Sequence, residues 1–372
     1  MIFFDNSLKI SLANIFFSLI VFYPLFFALP LLSENTVLKL NIYYFFILGL
    51  IASFVILSLR KRLVNYSVMR FLVLFFFLLL ISVINVDHLR YSFPSIFLSI
   101  LIVFFLFFTL VKGTVSTTII YTTLILYIIV SFIAYFDSES FQNLGRFSGF
   151  TPSASIYSTY LTSVFILFVS FSRSTILKII AFFICVFLLY LTQARLNLAY
   201  LIIVPFIIHF SKKRGNRKLI FIVSIIVLNL VYPVYQILSK ETNVAELRYK
   251  DGRDASFELR YALYSNVLES YIEGTVVEKI LGKGSETSRL LVISKFKDDH
   301  MPHNDFIRVL HDFGIIWFLF FFFLLYRLAS FSRISCVLTT LYLLSFYHNM
   351  IFNLYLILLI MLFSNLNSRK PF

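Results

Sequence analysis

Long apolar runs separated by short polar clusters repeat along almost the whole chain, and most runs have about the length of a membrane span. A helix needs about twenty apolar residues to cross a bilayer. On that measure the runs predict spans at 10–32, 38–59, 68–86, 94–111, 117–136, 153–171, 176–191, 196–210, 219–237, 306–326, 334–347 and 350–363, about twelve in all. Two pairs are short for spans. Residues 176–210 could form one helix, but Arg195 would then lie in mid-bilayer, which costs about 2.5–3.5 kcal/mol or more. Two helices that turn at Thr192–Arg195 avoid that cost, and the same logic divides 334–363 at His348–Asn349. The expected fold is an all-α polytopic membrane protein. It divides into a membrane bundle of about nine spans (1–237), a large loop (238–305) and C-terminal membrane helices (306–372).

Composition agrees with the pattern: 60% of the 372 residues are apolar, 13% are charged and 48 are Phe. Soluble domains average about 25% charged residues, so a soluble globular fold is excluded. The net charge of +14 would suggest nucleic acid until its location is considered. The segments placed on one side of the membrane hold 17 of the 32 Lys and Arg, but of the 18 acids only Asp5. Cytoplasmic loops are enriched in Lys and Arg for topological reasons. The basicity therefore reads as orientation, with both termini cytoplasmic, and no basic patch is left for nucleic acid. Cys185 and Cys336 lie inside apolar runs, where neither a disulfide framework nor a metal site is expected. The first run is longer than a signal-peptide core and is expected to be retained.

The segment 238–305 is too long for a connector and is a candidate functional element. Within it Phe257, Tyr261, Tyr264, Leu268 and Tyr271 recur at helical spacing. The helix they predict would lie on the membrane surface or cover the bundle. Gly282-Lys283-Gly284 reads as a turn and lacks the residues of a phosphate loop.

Few polar residues on the outer side stand where membrane packing alone would not put them. They are Arg146 before a span, Arg195 at a hairpin top, Arg253 and Arg260 in the large loop, and His303 before the tenth span. Asp305, Arg308, His311 and Asp312 fall within two helical turns and cannot face lipid. Each has a plainer use. Asn304 or Asp305 can cap the helix, Asp305–Arg308–Asp312 can form an ion-pair ladder, and Arg146 and Arg253 can meet headgroups or carboxylates. His300 and His303 have a spacing a metal could use, but no further ligand set accompanies them, and neither metal nor cofactor is expected. Several arginines beside one His also suggest a chemistry. Guanidinium groups clamp phosphate oxygens, and a neutral imidazole can take a proton from a hydroxyl.

Five stretches carry a resemblance: Arg146-Phe147-Ser148-Gly149, Thr192-Gln193-Ala194-Arg195, Ser256 to Arg260 leading into Tyr261-Ala262-Leu263, Leu281-Gly282-Lys283-Gly284, and Pro302-His303-Asn304-Asp305 running on to Phe313-Gly314-Ile315-Ile316. In this order the chain resembles the bacterial O-antigen polymerases and O-antigen ligases. It departs from them at Ala194-Arg195-Leu196, where the family usually reads Ser-Arg-Gly, and at Tyr264, near where a Trp is expected. The resemblance implies metal-independent glycosyl transfer on the periplasmic face of the bacterial inner membrane, between glycans linked to undecaprenyl pyrophosphate as donor and acceptor. It implies Arg195 and Arg260 on the pyrophosphate and His303 on the acceptor hydroxyl. Arg146, Arg253, Asn304, Asp305 and Arg308 are candidate substrate contacts. Membrane lipid and a chain-length regulator are further candidate partners. Polymerisation of repeat units is the leading expectation; ligation to lipid A–core and a flipping transporter are the alternatives.

Overall fold

The structure, a computed structural model, describes residues 18–25, 116–137, 140–142, 145–238, 256–296, 304–348 and 353–365. The predicted spans at 38–59, 68–86 and 94–111, most of 10–32, and the candidates Arg253 and His303 lie outside the described residues.

The described residues form helices α1 (Thr117–Tyr135), α2 (Ala154–Phe171), α3 (Thr175–Thr192), α4 (Arg195–Phe210), α5 (Arg214–Leu238), α6 (Ser256–Glu273), α7 (Val276–Leu281), α8 (Thr287–Phe296), α9 (Asp305–Phe331), α10 (Arg333–Ser345) and α11 (Leu354–Asn365). A small antiparallel hairpin joins α1 to α2, with β1 (Phe141–Gln142) paired to β2 (Arg146–Phe147) so that Phe141 faces Phe147. Among the described residues, α1, α2, α3 and α9 are long and apolar enough to cross a membrane. The chain is an integral membrane protein.

Local chemistry sets the helix ends. Ser153 caps α2 by accepting from Ile156 N at 3.2 Å, and Ser332 caps α10 by accepting from Ser335 N at 2.9 Å. Between α3 and α4 the chain turns at Gln193, which adopts a left-handed conformation with φ 54°. The predicted division of 176–210 at Thr192–Arg195 is therefore present, and that of 334–363 falls after the short 3-10 turn Phe346–His348.

Helix α2 lies inside the bundle, with 72% of its apolar window buried, against 28% for α3. On α3, Ile176, Ile179, Ile180, Phe183, Phe187 and Tyr190 are exposed along one face, as on a lipid-facing helix. Three polar side chains buried between helices are paired across them. Tyr157 on α2 donates to Ser131 Oγ on α1 at 2.6 Å, Asn197 on α4 donates to Ser158 Oγ at 2.6 Å, and Tyr200 donates to the Val337 carbonyl at 2.6 Å. Away from water an unmade bond of this kind costs about 1–3 kcal/mol, so these contacts fix which helices are neighbours.

The helix predicted around Phe257–Tyr271 exists as α6 and covers the bundle. Tyr264 is buried in the main core, and Leu263 and Val267 meet Val292 of α8. The predicted span 306–326 differs from expectation. Helix α9 breaks at Gly314, whose φ of 77° and ψ of 175° belong to neither half. A Cβ at Gly314 would run into the Ile280 carbonyl oxygen, and one at Gly282 into the Asp312 carbonyl. The break exists because α7 presses its C-terminal backbone against α9 at this point.

Candidate functional site

The short connections α2–α3, α3–α4 and α4–α5 reverse the chain each time. This alternation sets the β1–β2 hairpin and the Thr192–Arg195 turn at one end of the bundle. The bond from Arg217, near the start of α5, to the Ser330 carbonyl, near the end of α9, sets the start of α9 at that same end.

Arg146 reaches this end from β2. Its strand is pinned by Phe147, which is fully buried against the Tyr157 ring at 5.2 Å. The Arg146 Nε donates to the carbonyl of Thr192 at 3.3 Å, one of the last-turn acceptors of α3 that have no partner within the helix. Arg195 begins α4 three residues further on and is exposed. Two guanidinium groups from separate stretches are thus attached to one helix turn. Ala194, the N-cap residue of α4, supplies no side-chain oxygen. A helix N-terminus carries partial positive charge and favours anions, so a cation placed there is locally unfavourable and raises the attraction of this corner for an anion. Two residues on, Asn197 bonds Ser158 and Thr159 and holds this turn of α4 to α2.

The start of α9 is built differently. Asn304 is its N-cap and accepts from Phe306 N at 3.0 Å and Ile307 N at 3.4 Å. Arg308, 2% exposed, lies among three carboxylates: Glu286 in a close ion pair, Asp305 at 3.5 Å and Asp312 at 3.9 Å. Asp312 in turn caps α8. Its oxygens accept from Glu286 N at 3.0 Å, Ser288 N at 2.9 Å, Ser288 Oγ at 3.0 Å and Thr287 Oγ1 at 3.2 Å. A carboxylate bonded to helix-terminal N–H groups suits the helix dipole.

A second chain of contacts joins this network. Lys283 Nζ donates to Ser270 Oγ at 3.0 Å, Ser270 Oγ lies 3.3 Å from His311 Nε2, and His311 Nδ1 lies 2.9 Å from Asp312 Oδ1. With the proton on Nδ1 facing the carboxylate, Nε2 accepts from the serine. The backbone N–H groups of Lys283 and Gly284 donate to the carbonyls of His311 and Asp312 at 2.9 and 3.0 Å. They satisfy acceptors that the break at Gly314 removes from the helix ladder.

Residues 158–322 match the family model described as O-antigen ligase. This segment belongs to the O-antigen polymerase and ligase family. No curated protein and no solved structure matches the chain. The family segment runs from α2 into α9 and takes in Arg195, Arg260, the Gly282–Gly284 turn, His303 and the break at Gly314, with Arg146 just outside it.

Of the residues singled out in the sequence, the structure brings Arg146 to the Arg195 turn and assembles Asn304, Asp305, Arg308 and Asp312 at the head of α9. Arg260 lies in α6, and its side chain is outside the described residues. The sequence reading missed Glu286, Ser270 and the backbone contact of Gly282 with Gly314. The signals for these were weak: a Ser-Glu-Thr-Ser run suited to a helix start, and a glycine inside an apolar run. Among the described residues, no group of three His, Cys, Asp or Glu could hold a metal.

Proposed function

We propose that this O-antigen polymerase and ligase family protein polymerises glycan repeat units by glycosyl transfer on the periplasmic face of the bacterial inner membrane. In this reading the hydroxyl oxygen of the acceptor glycan attacks the anomeric carbon of a glycan carried on undecaprenyl pyrophosphate. The bond from that carbon to the phosphate oxygen breaks, and its electron pair leaves with the lipid pyrophosphate. His303 takes the hydroxyl proton. Arg195 and Arg260 hold the pyrophosphate and stabilise the charge that develops on it, with Arg146 and Arg253 as further anion contacts. Asn304, Asp305 and Arg308 act as the rigid frame for the head of α9, next in sequence to His303. Both termini are cytoplasmic in this reading, and the α6–α8 segment is periplasmic.

The observation that carries the proposal is the family match over 158–322, which contains Arg195, Arg260 and His303 together. The attachment of Arg146 to the Arg195 turn adds a second cation to the same corner. Preference for polymerisation over ligation rests on composition. The chain is rich in Phe and has 10 Gly in 372 residues, the flavour of repeat-unit-specific polymerases. The second reading, ligation of the finished glycan to lipid A–core, is favoured by the matched description itself.

Gene deletion separates the two on a lipopolysaccharide gel. Loss of a polymerase leaves core carrying at most one repeat, whereas loss of a ligase leaves bare core and glycan stranded on its carrier. Normally inserted His303→Ala and Arg260→Ala proteins are expected to make no polymer. Full-length chains from either variant would remove that residue from the site.

A further inference from the structure

The corner between α6 and α7 exposes four aliphatic side chains: Ile272 at 60%, Val276 at 72%, Val277 at 63% and Ile280 at 38%. Val276, Val277 and Ile280 share one face of α7 by their spacing. Scattered exposed apolar residues need no explanation, but a contiguous group on an extramembrane segment marks an interaction surface.

Its depth relative to the membrane follows from α9. The ionisable residues Asp305, Arg308, His311 and Asp312 all precede the break at Gly314. From Ile315 to Ser332 the chain rises roughly 27 Å at about 1.5 Å per residue, close to the about 30 Å hydrocarbon thickness. Arg327, within that stretch, can extend its guanidinium to the near interface. The break therefore sits at the edge of the hydrocarbon, and α7 is pressed against it, Ile280 and Gly282 backbone to Gly314 backbone. Immediately past the break, Ile316 and Leu319 are exposed at 42% and 61% on the span itself. The backbone contact at Gly314 therefore brings α7, with its exposed apolar face, to the level at which the exposed apolar surface of α9 begins.

We infer that α7 is an interfacial anchor whose Val276–Val277–Ile280 face, with Ile272, lies in the membrane at the headgroup–acyl boundary, and that the occupant of this face is the lipid bilayer. Short amphipathic segments bind in this way, with the apolar face about 5–10 Å into the boundary region. The anchor holds the α6–α8 segment at the level where a lipid-linked phosphate emerges. It does not depend on which glycan chemistry the chain performs.

The test uses the full-length protein in vesicles of phosphatidylethanolamine and phosphatidylglycerol, with and without brominated phosphatidylcholine. The native Cys185 and Cys336 are buried, so a bimane label can be directed to Val277→Cys and, in a separate protein, to Ser294→Cys on the exposed side of α8. Interfacial insertion predicts strong quenching of the Val277→Cys label by shallow brominated lipid. Its aqueous iodide quenching should be about threefold or more weaker than at Ser294→Cys. Equal iodide quenching at both positions would overturn the anchor and leave α7 in water. Protection from both quenchers would also overturn it, because the face would then be covered by protein, either another part of this chain or a second copy. The same measurement at Val276→Cys guards against misfolding of a single variant.

Discussion

The carboxylate of Asp312 offers the sharpest test of how the head of α9 is held. Asp312→Asn keeps the shape and one acceptor oxygen but replaces the other with an NH2 group. If the retained oxygen faces Ser288 N, Thr287 and His311, the new amide faces the Glu286 N–H and the Ser288 hydroxyl, both of which lie 3.0 Å from the lost oxygen. It also removes one of the three negative charges around Arg308. Arg308 keeps Glu286 and Asp305 as partners, so the loss comes from the two donors that face the new amide. A hydrogen bond to a charged group contributes about 1.5–3 kcal/mol, and the expected loss for two is about 3–5 kcal/mol. At about 2–4 °C per kcal/mol for a mid-sized domain, the unfolding midpoint should fall by roughly 10 °C.

The assay is thermal unfolding in detergent followed by the emission of Trp317, the chain's only tryptophan. It stands one turn past the break, stacked on Phe313 at 5.1 Å and Phe321 at 4.8 Å, so it reports on the element that Asp312 secures. Arg308→Met should destabilise comparably by leaving three carboxylates without their cation. The double variant should lose less than the two single losses combined, because the pair is coupled. An Asp312→Asn midpoint within a degree or two of the native protein, with unchanged emission, would refute the argument. It would mean that water already satisfies these donors.

Gly314→Ala should destabilise α9 by about 2–5 kcal/mol, combining a backbone region essentially restricted to glycine with a collision against the Ile280 carbonyl; the same Trp317 unfolding assay measures it. Asn304→Ala removes the N-cap of α9 and should cost about 0.5–2 kcal/mol, with Asn304→Asp restoring most of it. Glu278 accepts from the Thr275 backbone and hydroxyl, and these bonds hold its carboxyl below the ordinary value of 4.5. Its contribution to the α7 capping box is therefore complete above pH 4.5 and is lost as pH falls through the lowered folded value. Hydrogen-exchange protection factors across Val276–Leu281, corrected for the intrinsic pH dependence, should stay constant from neutral pH to about 5 and fall below it, and Thr275→Ala should abolish that step. Arg195→Lys keeps the charge but loses the planar fork; in the polymerisation reading it should lower turnover with an unchanged unfolding midpoint, as measured by chain synthesis from lipid-linked repeats. Arg308→Lys should do the reverse, lowering the midpoint first.

Much of the helical layout was legible because membrane spans are set by a one-dimensional quantity, the length of an apolar run. The predicted runs at 117–136, 153–171 and 176–191 correspond to Thr117–Tyr135, Ala154–Phe171 and Thr175–Thr192. The break at Gln193 was legible for a related reason: a charged residue at mid-bilayer is so costly that Arg195 excluded a single helix. The break at Gly314 was not legible. Apolar residues continue on both sides of it, and its cause, the backbone of Ile280 and Gly282, comes from more than thirty residues upstream. Arg308 shows the same limit. Its partners Asp305 and Asp312 follow from helical spacing, whereas Glu286 sits on another element and depends on how α8 docks. The face of α6 was left open between membrane and bundle, because a stripe of tyrosines suits both, and the burial of Tyr264 in the main core decides it.

The described cations at this end of the bundle fall into two kinds, and the division bears on which of them can meet a phosphate. Arg308 is enclosed by Glu286, Asp305 and Asp312, so its surroundings are net negative and would repel an approaching anion. Lys283 spends two donors on the carbonyl and hydroxyl of Ser270. Both stabilise the joint between α7, α8 and α9, and the protein gains from them a fixed starting direction for α9. Arg146 is held differently: its Nε donates to the backbone carbonyl of Thr192, a dipole that orients the guanidinium without cancelling its charge. An anion arriving at the Thr192–Arg195 turn would therefore meet the Arg146 guanidinium together with the positive N-terminal end of α4. On electrostatic grounds the pyrophosphate of the proposed reaction belongs at that turn, with the Arg308 network behind it as scaffold.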